Sequence, residues 1–109
     1  MSEMTFRPGP NDVLDDVLLP IPGVKGGKAF GYPAYKVNGK IFCFVGDKSI
    51  AIKLPAKRVQ ALIAALPEAS PFEANGIWKE WVSLQHDDPD DYRQHEDLFH
   101  ESLEYVGSK

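Results

Sequence analysis

Hydrophobic and polar positions along this chain follow two different periods. The middle has a strand period: Ala34-Tyr35-Lys36-Val37 and Lys40-Ile41-Phe42-Cys43-Phe44-Val45 are short β-prone runs on either side of Asn38-Gly39. Asn-Gly supplies the two positive φ angles that a type I′ turn demands, so the pattern predicts a two-residue β-hairpin. Gly46-Asp47 offers a second turn into Ser49-Ile50-Ala51-Ile52-Lys53-Leu54, where apolar and polar positions alternate. Three antiparallel strands in a meander over about 32–54 are the expectation.

The helical period appears on both sides of this block. Val13, Leu14, Val17 and Leu18 share one face of a short helix, capped by Asn11 and stopped by Pro20 and Pro22. Pro55 suits the first turn of a second helix over 55–66, where Val59, Leu62, Ile63 and Leu66 form one stripe until Pro67 ends it. Asp88 as cap and Pro89 at the first position open a third helix that runs to about Val106. Asp90 and Asp91 favour its dipole, and Tyr92, Phe99, Leu103 and Val106 mark its buried side. Residues 78–85 read as a further strand and 70–76 as a loop. The four glycines of 23–31 read as a mobile connection with room for a short strand near Lys28 and Phe30. Residues 1–10 are expected to be a flexible lead-in. Residues 11–109 form one domain, since no repeat, low-complexity tract or linker divides them. The fold class is α+β, an antiparallel meander with helices packed on one face.

Register turns these elements into chemistry. A two-residue turn at Asn38-Gly39 pairs Tyr35 with Phe42 and Lys36 with Ile41. A two-residue turn at Gly46-Asp47 pairs Cys43 with Ile50 and Ile41 with Ile52. One face then carries Ile41, Cys43, Ile50, Ile52 and Leu54. The other carries Tyr35, Val37, Phe42 and Phe44 with Lys40 and Lys53. If that second face is open, its rings and lysines form a platform for stacking bases and neutralising phosphates. If loops, a terminus or a second subunit cover it, the same rings are core.

With 109 residues, 43% hydrophobic and 26% charged, the chain matches one ordinary globular domain with one modest core. The net charge of −4 conceals a strong asymmetry. Residues 24–58 sum to +7, whereas 67–109 sum to −8 and 1–23 to −3. The basic block holds Lys25, Lys28, Lys36, Lys40, Lys48, Lys53, Lys57 and Arg58. Such a block suits a polyanion, an acidic protein partner or a complementary face of the same chain. The lone Cys43 between two phenylalanines reads as a buried thiol in a reducing compartment. No apolar run approaches the ~20 residues that span a bilayer, and the N-terminus has no signal-peptide pattern. A cytoplasmic location is expected.

No catalytic constellation is recognisable, and a non-enzyme without cofactor is the expectation. His95 and His100 stand five apart, ~140° around a helix, and so cannot close on one metal as an i, i+4 pair does. His86, Asp87, Asp88, Asp90 and Asp91 lack the glycine and terminal glutamate of a calcium loop and suit an acidic helix start better. Residues 23–28 imitate a phosphate loop, but Pro22 stands where its first glycine belongs and Ala29 where its hydroxyl belongs. Cys43 has no nearby histidine in sequence to activate it. Trp78 and Trp81 read as core or loop anchors. No metal is expected.

Gly31-Tyr32-Pro33-Ala34-Tyr35-Lys36-Val37-Asn38-Gly39-Lys40-Ile41-Phe42 resembles the MmcQ/YjbR family of small bacterial proteins. The Leu19-Pro20-x-Pro22-Gly23 entry, Ile50-x-Ile52-Lys53-Leu54-Pro55, Trp81-Val82-x-Leu84 and Ser102-x-x-x-Val106 agree in order. Ala29-Phe30-Gly31 and Asn38-Gly39-Lys40-Ile41-Phe42 are also similar to the N-terminal domain of the competence regulator TfoX. The resemblance implies a frataxin/CyaY-like α+β sandwich and a double-wing mode of DNA binding, with the hairpins at Asn38-Gly39 and Gly46-Asp47 as wings. The expected function is a small binding module for DNA or RNA. Its candidate contacts are Lys25, Lys28, Tyr35, Lys36, Lys40, Phe42, Lys48, Lys53, Lys57 and Arg58. The alternative is a protein-interaction or homo-oligomerising domain whose basic face docks an acidic partner or a second copy.

Overall fold

A computed structural model describes residues 9–29, 31–46 and 49–108. Most of the lead-in expected over 1–10, the strand position Phe30, and the Asp47 and Lys48 of the second turn lie outside the described residues. Helix α1 (Pro10–Leu18) opens the domain, and its first turn is closed by the Gly9 N–H donating to Asp12 Oδ2 at 3.1 Å. The cap is thus Gly9, two residues before the expected Asn11, because Pro10 suits a first helical position. Strands β1 (Val24–Ala29), β2 (Tyr32–Val37), β3 (Lys40–Val45) and β4 (Ile50–Lys53) follow. Helix α2 (Ala56–Ala65), β5 (Ala69–Glu73), β6 (Ile77–Leu84), a 3-10 segment (Pro89–His95) and α3 (Glu96–Gly107) complete the fold.

The strands make one six-stranded antiparallel sheet in the order β1-β2-β3-β4-β6-β5. It is an α+β fold, and the meander over 32–54 is present. The Asn38-Gly39 turn has φ of 52° and 77°, the two left-handed residues of a type I′ hairpin.

Three segments differ from the sequence reading. The glycine-rich connection at 24–29 is the edge strand β1, paired with β2 along its length. The loop expected over 70–76 is largely the opposite edge strand β5, and Pro71 is tolerated there because an edge leaves one row of N–H groups without ladder duties. The third helix is divided: Asp88 caps it as expected, accepting from the Asp90 N–H, but the first seven residues wind as 3-10 before α3 begins.

All helices pack on one face of the sheet. There Leu14, Leu18, Phe42, Ile50, Ile52, Leu54, Leu84, Tyr92 and Phe99 form the main core, each at 0% exposure. Ser102 of α3 reaches the sheet itself, its hydroxyl within donating distance of both Lys53 O (2.6 Å) and Phe42 O (3.2 Å). This buried hydroxyl ties α3 to β3 and β4 at once.

Register decides what this core contains. Lys36 pairs with Ile41 as expected, but Tyr35 pairs with Cys43, so Phe42 is the extra residue of a β-bulge. The bulge turns Tyr35, Val37 and Phe42 to the helix-covered side and leaves Lys36 and Ile41 on the other. At β3–β4 the loop is longer than two residues: Val45 pairs with Ile50 and Cys43 with Ile52. That shift is two residues, an even number, so Cys43, Ile50 and Ile52 keep the face assigned to them.

Candidate nucleic-acid interface

Six of the sequence-derived contacts sit outside any shared binding surface. Tyr35 and Phe42 are 1% and 0% exposed in the main core, which corrects their assignment as stacking platforms. The Tyr35 hydroxyl donates into a pocket formed by α1, with Asp15 Oδ1 at 2.7 Å and Asn11 Oδ1 at 2.9 Å. Burial, and then the Asp15 hydrogen bond and charge, push that phenol well above its ordinary pKa. Arg58 on α2 is held by Glu101 of α3 in a two-nitrogen clamp, with its Nη2 2.9 Å from Oε1 and its Nε 3.0 Å from Oε2. Lys57 is exposed on the same helix. Lys28, opposite Pro33, borders the cleft of Asn11 and Asp15 on the helix side, and Lys40 pairs with Val37 on that side too. Lys48 lies outside the described residues.

The remaining three, Lys25, Lys36 and Lys53, share the face that carries no described helix. Directly paired residues of antiparallel strands share a face. Ala34 pairs with Phe44 and Phe44 with Ala51, and these three form a small second cluster apart from the main core. Two residues on from Ala34, Lys36 lies on this face with its partner Lys25; two on from Ala51, Lys53 lies here with its partner Trp81.

What the lysines flank is aromatic. The Phe44 ring meets Phe72 at 5.3 Å between centroids and Trp81 at 5.1 Å; Trp78 meets Phe72 at 5.1 Å and Trp81 at 6.2 Å. Four rings from β3, β5 and β6 thus make one continuous patch, three of them half-buried. Lys53 Nζ stands 5.9 Å from the Trp81 centroid, within cation–π reach, and 3.9 Å from Glu80. A cleft of about 470 Å³ opens beside the patch, lined by Tyr32, Phe44, Ser49, Phe72 and Trp78 among others.

A second β-bulge builds this patch. Pro71 pairs with Val82 but Phe72 pairs with Trp78, so β6 carries extra residues between Trp78 and Val82. That irregularity lets Trp78 and Trp81, three apart, both present rings to one face. Strict alternation would have put them on opposite faces. The sequence reading took both as core or loop anchors because Trp81 alternates out of phase with Val82 and Leu84, which in the structure are buried on the helix side. The only signal available in the sequence was the concentration of Phe72, Trp78 and Trp81 within ten positions.

Charge separates in part the same way, although Glu80 stands by Lys53 and Glu73 lines the cleft beside the patch. The acidic residues of α1, the 3-10 segment and α3 lie in the helix layer, with the sheet between them and the aromatic patch. Cys43 is fully buried, and burial pushes its thiol far above the ordinary range, as expected of an inert packing residue. No described helix is long and apolar enough to cross a membrane.

These features define a class: a single-sheet α+β domain, helices on one side and an aromatic face on the other. The YjbR family model matches residues 19–104, and the chain belongs to the YjbR family. No curated protein and no solved structure matches it.

Proposed function

We propose that this YjbR-family chain is a non-enzymatic binding module that takes single-stranded nucleic acid on the open face of its sheet. The observation that carries the reading is the four-ring patch of Phe44, Phe72, Trp78 and Trp81 with Lys25, Lys36 and Lys53 on the same face. Single strands expose bases whose faces stack on aromatic rings, while lysines beside the rings neutralise the backbone. A duplex keeps its bases stacked on one another and gains nothing from the rings. The acidic helices favour the same reading, since the sheet separates them from the ligand.

A second reading, docking of an acidic protein or a second copy, is favoured by Ile77, which is 60% exposed at the end of β6 beside Trp78. Purified protein titrated into fluorescent oligothymidylate across a salt series distinguishes the two. Nucleic-acid binding predicts an affinity that falls linearly in log–log form with salt, by about 0.7 per phosphate neutralised on a single strand. Absence of any salt-sensitive association at low ionic strength, with dimers in sedimentation, would hand the face to a protein partner.

A further inference from the structure

Three side chains that the open face does not involve converge at the other end of the sheet. Glu68 lies between α2 and β5, His86 stands two residues past the end of β6, and His95 ends the 3-10 segment. His86 Nε2 and His95 Nε2 are 2.7 Å apart, and Glu68 Oε2 is 3.8 Å from the first and 3.6 Å from the second. All three ligand atoms lie within 4.8 Å of one another. His100, the partner weighed from sequence, instead points to Glu96 on the exposed side of α3, at 3.8 Å.

We infer that Glu68, His86 and His95 form a binding site for a divalent first-row transition-metal ion of the zinc type. Two imidazoles and a carboxylate are a donor set that zinc accepts, with one coordination position left for water or another ligand. A tetrahedral ion with bonds of ~2.0–2.1 Å requires donor atoms ~3.3 Å apart. The two Glu68 separations need only close slightly, and the histidine pair needs to open by about half an ångström. That opening also resolves a proton: at 2.7 Å one Nε2 carries the proton that the other accepts, and on metal binding the donor ring takes its Nδ1–H tautomer instead, so both Nε2 lone pairs face the ion.

The fold holds these groups in place before any ion arrives. Gln85 N–H donates to Glu68 O at 3.2 Å, fixing the two strand ends against each other. The His86 N–H donates to the Tyr92 hydroxyl at 3.1 Å, and that hydroxyl donates to Leu84 O at 3.3 Å. The two imidazoles stack at 5.0 Å and 26°. Burial, and then the adjacent His86, hold the His95 imidazole below its ordinary pKa. The fourth position opens towards a cleft of about 510 Å³ lined by Glu68, Ser70, His86, Asp87 and Asp91. Its acids give that entrance a negative field that attracts a cation.

The site is independent of the nucleic-acid reading, and its test uses the metal alone. Full-length protein stripped with chelator is titrated with Zn²⁺ by calorimetry and with Co²⁺ by visible absorption. The expected result is one equivalent per chain and the intense cobalt bands of a four-coordinate site. Glu68→Gln, which keeps the side chain's shape, should weaken binding by about tenfold or more, and His86→Ala should abolish it, with His100→Ala unchanged. Wild-type protein with no saturable zinc binding overturns the proposal. So does stoichiometric binding that Glu68→Gln leaves at wild-type affinity, a result that stands even if His86→Ala fails to fold.

Discussion

The two faces of the sheet use the same residue types for opposite purposes. On the helix-covered face, Tyr35 and Phe42 are sealed at 1% and 0% exposure, and the one hydroxyl among them is satisfied by Asn11 and Asp15. On the open face, Phe72, Trp78 and Trp81 are only half-buried and are bordered by lysines rather than by helices. Ring count and hydrophobicity do not distinguish the faces; cover does. An aromatic residue in a strand becomes core or contact surface according to which side of the sheet the helices take. Here all of them take the side to which the Phe42 bulge turns its ring.

Substitutions can break this comparison directly. The largest expected effect is Phe42→Ala, which empties a fully buried ring site and should cost about 3–5 kcal/mol of stability in urea denaturation. A cost below about 1 kcal/mol would put Phe42 on the surface. Trp81→Ala tests the opposite face: it should weaken single-strand binding by roughly 1–3 kcal/mol while costing less stability than Phe42→Ala. A Trp81 variant that melts like the Phe42 variant and binds like wild type would reverse the assignment. Tyr35→Phe removes the hydroxyl that links β2 to α1 and should destabilise by about 1–3 kcal/mol, because a carboxylate partner loses its donor. Oligonucleotide affinity per folded molecule should not change.

Charge changes sharpen the comparison with smaller effects. Lys36→Glu on the open face should leave stability within about 0.5 kcal/mol and flatten the salt dependence by about 0.7. Arg58→Ala removes an exposed ion pair with Glu101 in the helix layer. It should cost about 0–1 kcal/mol, screened by salt, and should not touch binding. An Arg58 variant that loses affinity as Lys36→Glu does would mean that the basic residues act through net charge rather than from one face.

The local signals in the chain proved sufficient for the meander and the helix starts, and insufficient for the edge strands and the faces. Asn38-Gly39 forced the hairpin, and the alternation of 49–54 forced β4, because turn chemistry and period 2 act within a few residues. Pro55 and Asp88 marked helix starts for equally local reasons. The Phe42 bulge had no such mark: an extra residue in a strand reverses every side chain beyond it, and β-prone residues on both sides make either register read well. The irregularity in β6 between Trp78 and Val82 hid the aromatic patch in the same way. Ser70-Pro71 looked like a loop because proline is poor in strands, yet an edge strand accommodates it. The meeting of Glu68, His86 and His95 depends on how three chain segments end at one corner, and no spacing rule within a single helix could have shown it.

Both tryptophans of the chain, Trp78 and Trp81, stand on the open face, so their fluorescence reports on that face alone. The most direct test is therefore a fluorescence titration of wild-type protein with unlabelled oligothymidylate at low ionic strength, repeated with the matching duplex. Stacking on the patch predicts saturable quenching by the single strand that is reversed by salt, with little response to the duplex. Emission unchanged by the single strand, or equal quenching by the duplex, would contradict the assignment of the aromatic face.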